Sequence, residues 1–233
     1  MNLKVISVFR SYYKIRRDII LRKEKGKILI EGMDLSGKTT IINYLDKILN
    51  IDKIQQRTLS GNSEIYNFAV LQSKKGQLHN DLINQLYILA ISEDLYNYQP
   101  KEDNIILQDS YFALRSYAFI KQKYSQTMAD SVYKLLQVFP KPELAFYLTA
   151  STEERVKRNK ERDKPMAYME KLLKSNPREF EAIEKHLRNI TTGLFGAEII
   201  NTQDKGIKEI ALYIGNKIQE KHTENKEWEI STR

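Results

Sequence analysis

The run Gly32-Met33-Asp34-Leu35-Ser36-Gly37-Lys38-Thr39 fits the phosphate-binding loop pattern G-x-x-x-x-G-K-[ST], and it lies between a strand-like and a helix-like segment. Lys27-Ile28-Leu29-Ile30-Glu31 reads as a buried strand, while Ile41, Ile42, Leu45, Ile48 and Leu49 recur at helical spacing behind the loop. In that setting the two glycines let backbone N–H groups turn inward. The helix beginning near Lys38 aims the positive end of its dipole at the loop, and Lys38 adds a full charge. The chemistry this predicts is the binding of a nucleoside triphosphate. Gly32, Asp34, Leu35, Ser36, Gly37, Lys38, Thr39 and Thr40 are its expected contacts, and the Thr39 hydroxyl stands where a magnesium ion bridging the terminal phosphates needs a ligand.

Two further sets of residues carry chemistry. Asp109 closes the apolar run Asn104-Ile105-Ile106-Leu107-Gln108, and open parallel sheets bind ligands beyond the carboxyl ends of their strands. It is expected to face the loop, hold magnesium or orient the acceptor; the plainer reading is a cap for the next helix. Arg155, Arg158 and Arg162 are spaced by three and four, so they share one helix face and could swing over a transferring phosphate as a mobile lid. A well-placed arginine is worth on the order of 10³–10⁵ in the rate of phosphoryl transfer. The competing reading is a solvated basic face paired with Glu153, Glu154 and Glu161.

The elements that must position these groups alternate. Strands are expected at Lys27–Glu31, Lys53–Leu59, Asn104–Asp109, Glu143–Thr149 and Ala197–Asn201, with helices between them. The polar turn Ser60-Gly61-Asn62-Ser63 offers N-caps for a helix from about Glu64 to Ser73, and Ser151 or Thr152 caps the helix that bears the arginines. Such alternation implies an α/β fold whose parallel sheet is covered on both faces. The chain divides into a basic N-terminal helical extension over 1–25, one nucleotide-binding domain over 26–222 and a polar, frayed tail over 223–233.

With 41% hydrophobic and 29% charged residues among 233, the chain can bury a sizeable core. It lacks cysteine, and His79, His186 and His222 have no ligand-spaced partner, so neither a disulfide frame nor a zinc site is expected. The net charge of +8 gathers in Arg10 to Lys27 and in Arg155 to Lys164. It permits anionic partners without naming one. No apolar run reaches the ~18 residues of a membrane span, and a cytoplasmic protein is expected.

Ile30 to Thr40 resembles the opening of thymidylate kinases. Three later segments agree in order. Ile105-Ile106-Leu107-Gln108-Asp109-Ser110-Tyr111 looks like that family's strand ending in Asp-Arg-Tyr, Pro142 to Leu148 is similar to its fourth strand, and Thr152 to Asp163 looks like its arginine-bearing lid. The resemblance covers about Gly26 to Gln219 and extends to the related deoxynucleoside kinases. It implies a P-loop NTPase fold, three-layer α/β/α with a five-stranded parallel sheet and a lid. It also implies ATP with magnesium as donor and a nucleoside monophosphate, by default dTMP, or a nucleoside as acceptor.

On that likeness Lys38, Asp109, Arg155, Arg158 and Arg162 are the catalytic set. Asp34 approaches the acceptor's sugar and Arg57 its phosphate. Two departures stand out: Ser110 replaces the arginine of the Asp-Arg pair, and the helix around Ile88 to Glu93 offers Ser92, Glu93 and Asp94 where the family grips the monophosphate with arginine. Either Arg57 and Arg115 compensate, or the acceptor carries less charge. Tyr66, Phe68, Tyr111 and Tyr117 either stack the base or pack the core. The expected partners are a small acceptor and a second copy of the chain, without nucleic acid. A nucleotide-binding regulatory module with little transfer activity is the rival from another class.

Overall fold

A computed structural model of the chain describes residues 23–49, 51, 53–99, 105–161, 165–203 and 205–231. Residues 1–22 of the expected extension, and Arg162, lie outside the described residues. Five strands, β1 (Lys23–Glu31), β2 (Lys53–Arg57), β3 (Ile106–Tyr111), β4 (Lys141–Thr149) and β5 (Glu198–Asn201), form one parallel sheet in the order β2-β3-β1-β4-β5. The chain goes to one side of β1 for β2 and β3 and to the other for β4 and β5. The carboxyl end of β1, where the glycine loop begins, is therefore the switch point at which open sheets bind ligands.

Side chains alternate across the sheet and build two cores. Ile28, Ile30, Leu107, Phe146 and Leu148 pack against α1 (Lys38–Leu49) and α9 (Ile207–Ser231), the latter through Ile210, Ile214 and Ile218. Leu29, Ala145 and Tyr147 face the other way. They meet α3 (Asn80–Asn97), α4 (Phe112–Lys123), α5 (Gln126–Leu136) and α8 (Pro177–Phe195). The three-layer expectation holds. So do the expected caps: Ser63 Oγ accepts from Tyr66 N at the start of α2 (Glu64–Lys75), and Ser151 Oγ accepts from Glu154 N at the start of α6 (Thr152–Lys160). Among the described residues no helix is long and apolar enough to cross a membrane.

The structure differs from expectation in four places, the first being β2, which ends at Arg57 rather than Leu59. Lys23, Glu24 and Lys25, read as the end of the N-terminal helix, are strand. A register shift between Glu24 and Ile28 lets the strand continue past Gly26, whose φ is 73° and whose N–H donates to Glu143 Oε2 at 2.7 Å. The buried Lys27 ammonium is held there by Glu24 at 3.4 Å and by the Tyr98 hydroxyl at 3.1 Å. At the other end α9 runs on to Ser231, through most of the supposed tail, a stretch with no glycine or proline to stop it. A short helix α7 (Tyr168–Ser175) was not foreseen at all.

Candidate active site

Gly32 opens the loop at φ 148°, and a Cβ there would collide with the Leu148 carbonyl oxygen of β4. Only glycine lets β1 turn away from the sheet this tightly. Glu31, fully buried, accepts from Gly32 N (2.9 Å), Ser110 Oγ (2.9 Å) and Tyr111 N (3.0 Å), and lies 3.4 Å from Arg115 Nε. It staples the loop to the end of β3. Ser36 Oγ lies beside Gly32, is buried, and makes no hydrogen bond among the described residues. An unsatisfied hydroxyl inside a glycine cradle at a helix N-terminus fits an incoming phosphate oxygen.

Lys38 arches back over the loop, donating to Gly32 O at 2.6 Å and Met33 O at 3.0 Å. Burial first, and then the nearby Arg115 guanidinium, pull its pKa down to about 8. Polyphosphate favours the charged ammonium, so binding must recharge any neutral Lys38. The dissociation constant of a non-hydrolysable ATP analogue should therefore rise about tenfold from pH 7 to pH 9, and stay flat in Lys38→Met. Titration calorimetry checks this, and a flat parent profile would contradict it.

Around the loop mouth the structure brings Asp34, Arg115, Arg57 and Asp109 together. Arg115, from α4, donates to Asp34 Oδ1 at 2.8 Å and to Gly32 O. Burial alone would raise the Asp34 carboxyl, yet Arg115 and Lys38 hold it below the ordinary range. Burial likewise opposes the charge on Arg115, but Glu31 and then Asp34 raise its pKa. Asp109 sits beside Ile30 in the register of β1 and β3, with its charge acting on Lys38. Thr39 and Thr40 are exposed on the first turn of α1. Arg57, exposed at the end of β2, donates to the Tyr66 hydroxyl at 3.2 Å.

Three non-glycine residues among those described have left-handed backbones: Leu35 (φ 66°), Arg57 (65°) and Ser110 (61°). All three stand at the carboxyl edge of the sheet. Such conformations cost on the order of 1–3 kcal/mol each and gather where a site demands them.

Arg155 and Arg158 do not occupy the places expected of a mobile arm. Arg155 is 0% exposed. Its guanidinium donates to Ala150 O (3.0 Å) and Asp34 O (2.9 Å), pairs with Glu184 of α8, and lies over the Phe180 ring. Arg158 donates to Leu35 O (3.0 Å) and Thr202 O (2.8 Å) and pairs with Glu154 at 2.9 Å. Arg155 and Arg158 thus pack against the loop and brace its successive carbonyls, Asp34 O and Leu35 O.

The aromatic set also divides. Tyr111 is wholly buried between Phe139 and Phe195, and Tyr117 packs on Tyr133, so both belong to the core. Phe68 is 49% exposed. Among the described residues Tyr66 alone of the set accepts a hydrogen bond from Arg57, and its ring lies 4.5 Å from that of Phe112. Sequence reasoning missed Glu184, which carries no local signal on a helix surface. It also missed Thr202, whose Oγ1 donates to Ser36 O at 3.0 Å and whose place just past β5 could have marked it.

The family model described as thymidylate kinase matches residues 30–210. The chain belongs to the thymidylate kinase family. Its fold is similar to that of a thymidylate kinase from Candida albicans (TM-score 0.61, 20% identity, covering 83% of this chain and 91% of that one). It is also similar to a deoxyadenosine kinase from M. mycoides (TM-score 0.57, 20% identity, 83% and 99% covered). A thymidylate kinase from Ehrlichia chaffeensis follows (TM-score 0.53, 17% identity, 85% and 100% covered). At these identities the likeness is one of fold. No curated protein matches the chain. Membership in the thymidylate kinase family makes this chain a nucleotide or nucleoside kinase and implies ATP as donor.

Proposed function

We propose that the protein transfers the γ-phosphoryl group of ATP to a nucleoside monophosphate, with dTMP as the first candidate. The observation that carries this reading is the convergence, at one sheet edge, of the Lys38 loop and the exposed Arg57 guanidinium. Among the described residues no carboxylate lies within ion-pair distance of Arg57. The loop amides and Lys38 hold the β- and γ-phosphates, while Arg57 with Tyr66 holds the acceptor. Arg155 and Arg158 keep the loop in shape from behind. Thr39 and Asp109 offer hard oxygen ligands that suit magnesium, which keeps several waters and takes its other ligands from phosphates. When bound, the ion neutralises the charge that develops on the transferring group.

A phosphate acceptor attacks through an oxygen that is already anionic and needs no base. Asp34, held ionised by Arg115 and Lys38, is a poor proton acceptor, which counts against a hydroxyl acceptor. The second reading, a nucleoside kinase, is favoured by Ser110 and Glu93. Each faces another protein group: Ser110 Oγ donates to Glu31, and Glu93 accepts from Ser63. ADP release across dTMP, other nucleoside monophosphates and free nucleosides separates the two. Turnover confined to nucleosides would overturn the first reading, and no turnover with any acceptor would return the chain to a regulatory role.

A further inference from the structure

The chain leaves β2 through a turn that no glycine relieves. Thr58 N–H donates to Gln56 O at 2.8 Å, closing three residues around Arg57. Turns of this size with a positive φ at the centre are rare and strained. Beside it Ser110 is left-handed too, and the register of β2 and β3 slips between Gln56 and Arg57. Such backbone persists only where its surroundings over-determine it.

Three buried side chains do so here. Gln55 Nε2 donates to Thr58 O at 2.8 Å and to Leu59 O, while Gln108 Nε2 donates to Ser110 O at 3.0 Å. From α3, Asp94 Oδ2 accepts from Leu59 N at 2.7 Å, and Oδ1 accepts from Ser60 N at 2.8 Å and Ser60 Oγ at 2.7 Å. Asp94 is 1% exposed. Burial raises its pKa, and the bonds from Ser60 and Leu59 work against that rise. A desolvated carboxylate spent on one short turn marks that turn as worth holding. Its neighbour Glu93 accepts from Ser63 Oγ and from Ile65 N at 3.4 Å, fixing the start of the helix that carries Tyr66.

We propose that Asp94 is a positioning residue, anchoring the Leu59–Ser60 backbone so that the strained turn presents the Arg57 guanidinium to the acceptor. The inference rests on the acceptor reading above. It gives a function to the acidic pair on α3, where a phosphate-gripping arginine was expected: the cation is delivered from the end of β2, and the helix holds it in place.

Asp94→Asn keeps the shape but turns one acceptor into a donor facing backbone N–H groups. It should raise the KM of the accepted substrate about tenfold, with kcat and the KM for ATP within about twofold of the parent. Arg57→Ala should raise the same KM, and adding Asp94→Asn to it should change that value by less than about twofold. An unmoved KM in Arg57→Ala overturns the acceptor reading and this inference with it. A raised KM there, with Asp94→Asn either silent or multiplying the effect, overturns the positioning inference alone. Equal losses of kcat and both KM values would mark Asp94 as a fold residue and also overturn it. If Asp94→Asn fails to fold, Ser60→Ala removes one of the three bonds. It should raise the same KM about threefold with kcat kept; no change there overturns the proposal.

Discussion

Lys38→Ala should lower kcat/KM by on the order of 10³-fold or more, because a single preorganised donor is worth about 10²–10³ in such sites and this one carries a full charge. The protein should still fold. Lys38 is a desolvated ammonium whose described bonds go to two loop carbonyls, Gly32 O and Met33 O, and its depressed pKa marks it as a burden on the folded state. Losing it therefore separates activity from stability. Steady-state kinetics with the accepted substrate, beside a thermal melt, reads both quantities. A folded Lys38→Ala protein that keeps activity within about tenfold would remove the central element of the proposed chemistry.

The second large effect lies away from the mouth of the site. Glu184→Ala should destabilise the protein by about 3–5 kcal/mol, because it leaves the wholly buried Arg155 guanidinium without a countercharge. Glu184 also accepts from Thr149 Oγ1 at 3.2 Å at the end of β4, so its loss reaches the strand that backs the loop. Urea denaturation measures the effect, with the midpoint falling and the slope unchanged. Glu184→Gln, which keeps a hydrogen-bond acceptor but not the charge, should fall between. A loss under about 1 kcal/mol in Glu184→Ala would mean that water or another group satisfies Arg155.

The contrast between these two residues explains what could be read from the chain. Lys38 was legible because a phosphate cradle needs glycines, a lysine and a helix start in fixed order, and that order is local. Four of the five strands were legible for the same reason, as apolar runs bounded by turn residues, whereas β2 carries a single apolar residue, Ile54. Glu184 was not, since it looks like any surface acid of an amphipathic helix until the fold brings Arg155 beneath it. The spacing of the arginines could not say what the face carrying Arg155 and Arg158 would meet. At Lys23–Lys25 the charged residues pointed away from a strand, and only the pairing with β4 and the Glu24–Lys27 contact make one. Arg57 fell inside a strand expected to run to Leu59; the structure ends β2 at Arg57, whose left-handed backbone depends on Gln55, Gln108 and Asp94. These lie up to tens of residues away in sequence.

One short helix, α6, grips the carbonyls of Asp34 and Leu35 through two of its own side chains. That helix and the glycine loop are thus mechanically one piece: whatever tilts residues 152–160 must also reshape the loop. Departure of the spent nucleotide would then be governed as much by that linkage as by the electrostatic attraction of the cradle itself.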